Sequence, residues 1–203
     1  MVKKRTAPPR KAQAKGARIV SAYLENADVF RTAKGGKVDG PAVLVLRNRP
    51  DFHKRDFDRK ARDLERLGKE GRLKKATPDR DSNKVTDRST GKRRTRTNVY
   101  RDRLIRRLTK DGRLSKDKGT TATNKYLANK RAVEQLYAGK GPITSRGQGL
   151  DPDHIQDLQM DGEDIYANLR PMDAWTNRQL GSDISVALRD VPEGTPIIVK
   201  VLP

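Results

Sequence analysis

The sequence reads as an α+β protein: a small C-terminal unit of two strands and a helix, an upstream region that is basic and mainly helical, and a disordered basic arm at the N-terminus. Three observations predict this. Residues 151–183, DPDHIQDLQMDGEDIYANLRPMDAWTNRQLGSD, run as apolar stretch, turn, apolar stretch, helix. Charge is divided unevenly: residues 150–203 carry 4 Lys/Arg and 10 Asp/Glu, a balance of −6, against +26 for the residues before them, in a chain of net charge +20. Finally, a chain with 33% hydrophobic, 4% aromatic and 35% charged residues does not fill one core across all 203 positions. The expected divisions are residues 1–40 (flexible arm and linker), 41–140 (basic, mainly helical) and 141–203 (hairpin and helix).

Taken in order, residues 1–16 mix Pro, Lys, Arg and Ala without periodicity and fit a disordered arm. Residues 17–26 fit a short helix or a strand. Gly35 and Gly36, flanked by lysines, mark a turn, and the GxxxxGK[ST] spacing of a nucleotide-phosphate loop is absent. Residues 41–46, PAVLVL, are a candidate buried strand. Residues 50–76 read as a charged helix with Phe57, Ala61, Leu64 and Leu67 in a narrow apolar stripe, broken or ended by Gly68 and Gly71. His53 reads as a solvated residue near its start. Residues 77–90 read as a polar loop.

The most basic stretch is 92–118. Residues 98–110 fit a helix with Tyr100, Leu104, Ile105 and Leu108 turned inward. Arg103, Arg106, Arg107 and Lys110 would flank that stripe and are the first choice for gripping phosphates. Such contacts position a nucleic acid but carry little sequence information. Residues 124–138 have the clearest helical periodicity, through Leu127, Val133, Leu136 and Tyr137, and 139–142 close that helix at a boundary.

In the C-terminal unit, Ile155 and Leu158 precede a turn at 160–164, and Leu169 and Met172 follow it. Pro171 restricts the second strand to a short or edge position. Asp173 is a good N-cap for a helix starting at Ala174, and Gly181 is a plausible stop. On that helix Asn177, Leu180 and Ile184 share one face. Residues 182–190 fit a further helix, 192–196 a turn and 197–202 a terminal strand.

Within this unit stand Asp153-His154, then Asn168 and Asn177. A hairpin and helix carrying Asp-His in the first strand and Asn on the helix resembles the HNH (ββα-metal) nuclease family in its D-H…N…N variant. The His154-to-Asn168 and Asn168-to-Asn177 spacings are similar to those in the HNH domain of CRISPR effector nucleases. The run DHIQDLQMDGEDIYANLRPMDAWTNRQLG looks like the HNH modules at the C-terminus of bacterial polymorphic toxins. The resemblance covers the last quarter to third of the chain.

The resemblance implies that His154 is the general base that activates water, in keeping with an imidazole's near-neutral pKa. It implies that Asp153 and Asn177 bind one divalent cation, and that Asn168 holds the loop that orients His154. Such oxygen donors suit Mg²⁺ or Mn²⁺, and zinc less, since the chain has no cysteine. Neighbours in a regular strand point to opposite faces. A shared metal role for Asp153 and His154 therefore requires a bend or bulge, and a flat, regularly paired strand would count against the site.

The implied function is a metal-dependent, largely sequence-nonspecific endonuclease acting on double-stranded DNA. A bacterial toxin or effector role follows from the resemblance: exported or injected into a target cell, and countered by an acidic immunity protein that complements the basic segment. Arg146, Arg170 and Arg178 are secondary candidates for phosphate contact. Few aromatics are available for base stacking, which favours duplex over single strands. No run is long and apolar enough for membrane insertion. The alternative is a basic nucleic-acid-binding protein without catalysis, or a ribonuclease on the same scaffold.

Overall fold

A computed structural model describes residues 40–77, 84–88, 90–107 and 142–202, together with the backbone of 18–20 and 108–110. The expected arm at 1–16, the glycine turn at 35–36, the helix at 124–138, the boundary at 139–141 and the side chain of Lys110 lie outside them.

The architecture is α+β. Three strands, β1 (Arg18–Val20), β2 (Ala42–Arg47) and β7 (Ile197–Leu202), form a parallel sheet in the order β1-β2-β7, with Ala42 opposite Ile197 and Arg47 opposite Leu202. One face of β2 buries Ala42, Leu44 and Leu46 at alternate positions, as strand geometry requires. Helix α1 (Lys54–Lys69) packs on β7 and buries the expected stripe of Phe57, Ala61, Leu64 and Leu67. Gly68, in its last turn, lets the helix lie against the strand: a Cβ there would come within 3.2 Å of the Val199 amide nitrogen. The chain then turns at Gly71, which has φ +69°.

The hairpin and helix are present. Strands β5 (Leu150–His154) and β6 (Leu169–Asp173) pair antiparallel, and α3 (Ala174–Ala187) follows directly. The Asp173 carboxylate caps α3 by accepting from the Thr176 amide at 2.9 Å. Gly181 does not end the helix. The segment expected as a second helix at 182–190 instead continues α3 to Ala187, because Leu180 and Ile184 sit on one buried stripe. That packing outweighs a propensity cost of about 1 kcal/mol for the glycine.

A second departure lies at 84–95. Part of the expected polar loop forms a hairpin of β3 (Lys84–Thr86) and β4 (Arg93–Thr95), running straight into α2 (Arg96–Lys110). Arg94 ties it together, donating to Asp87 and Asp102 at 2.8 Å each. These carboxylates hold the guanidinium pKa above its ordinary value.

One core joins residues from both sides of position 141. Leu44, Phe52, Phe57 and Leu64 pack in the same cluster as Met160, Met172, Leu180, Ile184, Ile197 and Val199. Around it, charged groups bind α1 to the hairpin. The Asp56 carboxylate accepts from the Asp173 amide (2.8 Å), and the Arg59 guanidinium donates to the Pro171 carbonyl (2.8 Å).

Candidate active site

The expected bend at Asp153-His154 is absent. The β5–β6 register runs unbroken from Leu150 opposite Asp173 to His154 opposite Leu169. Cross-strand pairing of all five residues fixes the pleat, so Asp153 and His154 point to opposite faces.

Asp153 points at α1 and is buried. Its Oδ1 accepts from Lys60 Nζ at 2.8 Å and its Oδ2 from Arg170 Nε at 3.3 Å. Lys60 is itself buried and also donates to the His154 carbonyl. Arg170 continues the chain of charge to Asp63.

His154 faces the other way. Its Nε2 lies 2.9 Å from Asp164 Oδ1, with the two side chains 16% and 12% exposed. With Asp164 ionised, Nε2 carries the proton and Nδ1 is the nitrogen left to accept one. The second oxygen of Asp164 is buried and makes no hydrogen bond, but Arg96 Nε stands 3.5 Å away. Arg96 and Arg103, both from α2, also lie over the ring of Tyr166, 5.5 and 4.0 Å from its centre, within cation–π range. The basic helix therefore delivers two guanidiniums to the histidine side of the hairpin.

The loop between the strands is fixed by Asn168. Its Oδ1 accepts from the Gln156 amide at 2.8 Å, and its Nδ2 donates to the Gln156 and Glu163 carbonyls at 2.9 and 2.8 Å. Gln156 Nε2 in turn donates to the Met160 and Asp161 carbonyls. Asp161, in the left-handed region at φ 63°, closes the short turn at 158–160. This bonding carries Asp164 back over His154.

The remaining candidates are distributed. Asn177 is half-buried on α3, beside the buried Thr176 and Leu180. Arg178 is held by Asp151, with Nε 2.7 Å from Oδ2. Arg146 staples its loop to the turn before α1 by donating to the Pro50 and Phe52 carbonyls at 3.1 Å each. Arg106 and Arg107 are exposed on α2. The sequence reading did not find Lys60, Asp164 or Arg96. Lys60 had a visible signal, since it lies between Phe57 and Ala61 on the apolar stripe of α1. Asp164 and Arg96 carried no signal beyond their charge.

Comparison with family models, with curated proteins and with solved structures finds no match to this chain.

The residues as arranged do not fit a divalent ion at Asp153. Both oxygens of that carboxylate are engaged by cationic side chains, so an ion would have to displace Lys60 from a buried position. Among the described residues, no group of three His, Cys, Asp or Glu side chains is placed to hold a metal. No helix among them is long and apolar enough to cross a membrane.

Proposed function

We propose that the chain is a nuclease that hydrolyses phosphodiester bonds at His154, acting on double-stranded DNA with little sequence preference. The observation that carries this reading is the His154–Asp164 pair lying beside Arg96 and Arg103. Asp164 orients the imidazole and stabilises its protonated form. Nδ1 of His154 takes a proton from water as the water oxygen bonds to phosphorus and the bond to the leaving oxygen breaks, and that oxygen gains a proton from solvent. Such base catalysis contributes about 10²–10⁴-fold. Arg96 and Arg103 would meet the charge that builds on the phosphoryl oxygens, while Arg106 and Arg107 along α2 extend the basic surface to neighbouring phosphates. Asn168 serves as the holder of the loop.

The HNH resemblance agrees with the hairpin-and-helix order and with the positions of His154 and Asn168 in it. It supports a toxin or effector role, with an acidic immunity protein as partner. It also supports Mg²⁺ or Mn²⁺ dependence with Asp153 and Asn177 as ligands, a point the pairing of Asp153 with Lys60 opposes. That pairing and the regular strand favour a second reading, a basic nucleic-acid-binding protein without catalysis.

One experiment decides: incubation of supercoiled plasmid with wild type, His154→Ala and Asp164→Asn, with Mg²⁺, Mn²⁺, Zn²⁺ or EDTA, at low and moderate salt. Nicking abolished by His154→Ala supports the nuclease, and its persistence in EDTA would remove the metal. Intact but retarded plasmid in every lane, unchanged in the variants, would leave only the binding protein.

A further inference from the structure

The loop from 155 to 168 is a wall with two sides. Asp164 and Tyr166 face His154 and the arginines of α2. Glu163, Ile165 and Ala167 alternate with them and line a different space. That space is a cleft of about 510 Å³ between the loop and the C-terminal end of α1, large enough for one nucleotide.

The chemistry of the cleft is divided in a way that matters. Arg66, Arg72 and Lys74 stand along its α1 side, while Leu67, Ile155 and Ile165 supply apolar surface. The Arg66 and Arg72 side chains are 52% and 57% exposed, sharing Glu70 at 2.9 and 3.6 Å. An exposed carboxylate shared in this way holds cations weakly, so the guanidiniums can turn to another anion. Ile165 is 42% exposed, one of only three large apolar side chains among the described residues to be so open. The polar groups of Gln156 and Asn168 in the wall are already spent within the loop. They fix its shape rather than read a ligand. The acidic side chains Asp161 and Glu163 lie on the loop side. Like charge disfavours a phosphate there, so a phosphate is directed to the α1 side.

We propose that this cleft seats a nucleotide of the bound strand, next to the one whose phosphate lies at His154. Its phosphate would meet Arg72 and Lys74, and its base would lie on Ile155 and Ile165. The assignment rests on reading the chain as a nucleic-acid-cleaving protein. The strand would pass over the loop, with the reacting phosphate on the His154 side and the next nucleotide in the cleft. A basic wall facing an apolar one suits a nucleotide, which joins a charged group to a flat apolar one. It gives no base specificity, because no unspent hydrogen-bonding side chain of the loop faces the cleft.

The test uses the full chain carrying His154→Ala, in EDTA, so that binding is read without cleavage. Fluorescence anisotropy of a fluorescein-labelled duplex oligonucleotide gives the dissociation constant across a salt series, for this protein and with Arg72→Glu/Lys74→Glu or Ile165→Asp added. All three positions are at the surface, and circular dichroism checks the fold. The expected result for the charge pair is at least about a tenfold loss of affinity and a salt slope shallower by about 1.8, at 0.9 per phosphate contact. Ile165→Asp should weaken binding at every salt concentration. Unchanged affinity and slope in a folded double variant overturns the cleft, and the plasmid assay then still stands for the nuclease. Weakened binding by the double variant, in a protein whose wild type never cleaves, keeps the cleft and removes the nuclease.

Discussion

Lys60 and Asp153 meet at 2.8 Å across the α1–hairpin interface, with only 2% and 4% of their side chains exposed. This buried pair decides where the hairpin sits, because Lys60 also reaches the carbonyl of His154. Removing one partner leaves a buried charge alone. Lys60→Met should lower stability by about 3–5 kcal/mol, whereas Lys60→Met/Asp153→Leu should recover most of that loss. Urea unfolding measures both, and a shifted midpoint at constant slope identifies a stability change. A double variant as unstable as the single one would show that the pair does more than neutralise itself.

Asn168→Ala removes three hydrogen bonds from the loop. At about 1 kcal/mol each, the expected loss is roughly 2–4 kcal/mol, and amide exchange should quicken across 155–164. Gly162→Ala should act on the same loop, since its Cβ would fall 2.1 Å from the Gln156 carbonyl oxygen. Slow exchange retained in both variants would mean that the loop is held by other contacts.

Asp164→Asn leaves a group that can donate to His154 Nε2, which favours the tautomer with its proton on Nδ1. Single-turnover cleavage should slow about 10²-fold or more, with DNA affinity unchanged. Arg96→Ala should slow it by roughly 10²–10³-fold if the guanidinium meets the charged transition state. A cleavage rate indifferent to both substitutions would remove this side of the hairpin from the chemistry.

Trp175 is the only tryptophan, and its indole N–H donates to Asp51 Oδ2 at 3.0 Å. Burial tends to raise the pKa of Asp51, but hydrogen bonds from Arg49 and Trp175 outweigh it and hold the carboxyl below its ordinary 3.8. A depressed carboxylate contributes stability above its unfolded pKa, and that stability is lost as pH falls through the folded value. Trp175 emission should therefore stay constant down to about pH 4 and change below it. In Asp51→Asn the pH-dependent step should vanish.

Local patterns were legible in the sequence, and distant partners were not. The α1 stripe, the alternation in β2, the hairpin around Pro171 and the Asp173 cap follow from spacing within a few residues. The β3–β4 hairpin was missed because its short strands carry mostly charged side chains, and Arg94 holds them through Asp87 and Asp102 rather than through an apolar face. Gly181 was misread because helix-ending tendencies yield to burial of Leu180 and Ile184. At the site, His154 and Asn168 were singled out by residue type. What Asp153 touches depended on Lys60, 93 positions away, and no local pattern contains that. The regular β5 strand likewise reflects pairing with β6 across all five positions, where Pro152 alone had suggested a distortion.

The parallel pairing of β2 with β7 has a consequence for timing. A ribosome delivers α1 and both hairpins well before residues 197–202, yet the sheet against which α1 packs lacks its partner strand until those residues emerge. Contacts between such distant segments form slowly. For an enzyme that attacks DNA, this order of assembly would keep the nascent chain harmless through most of its own translation.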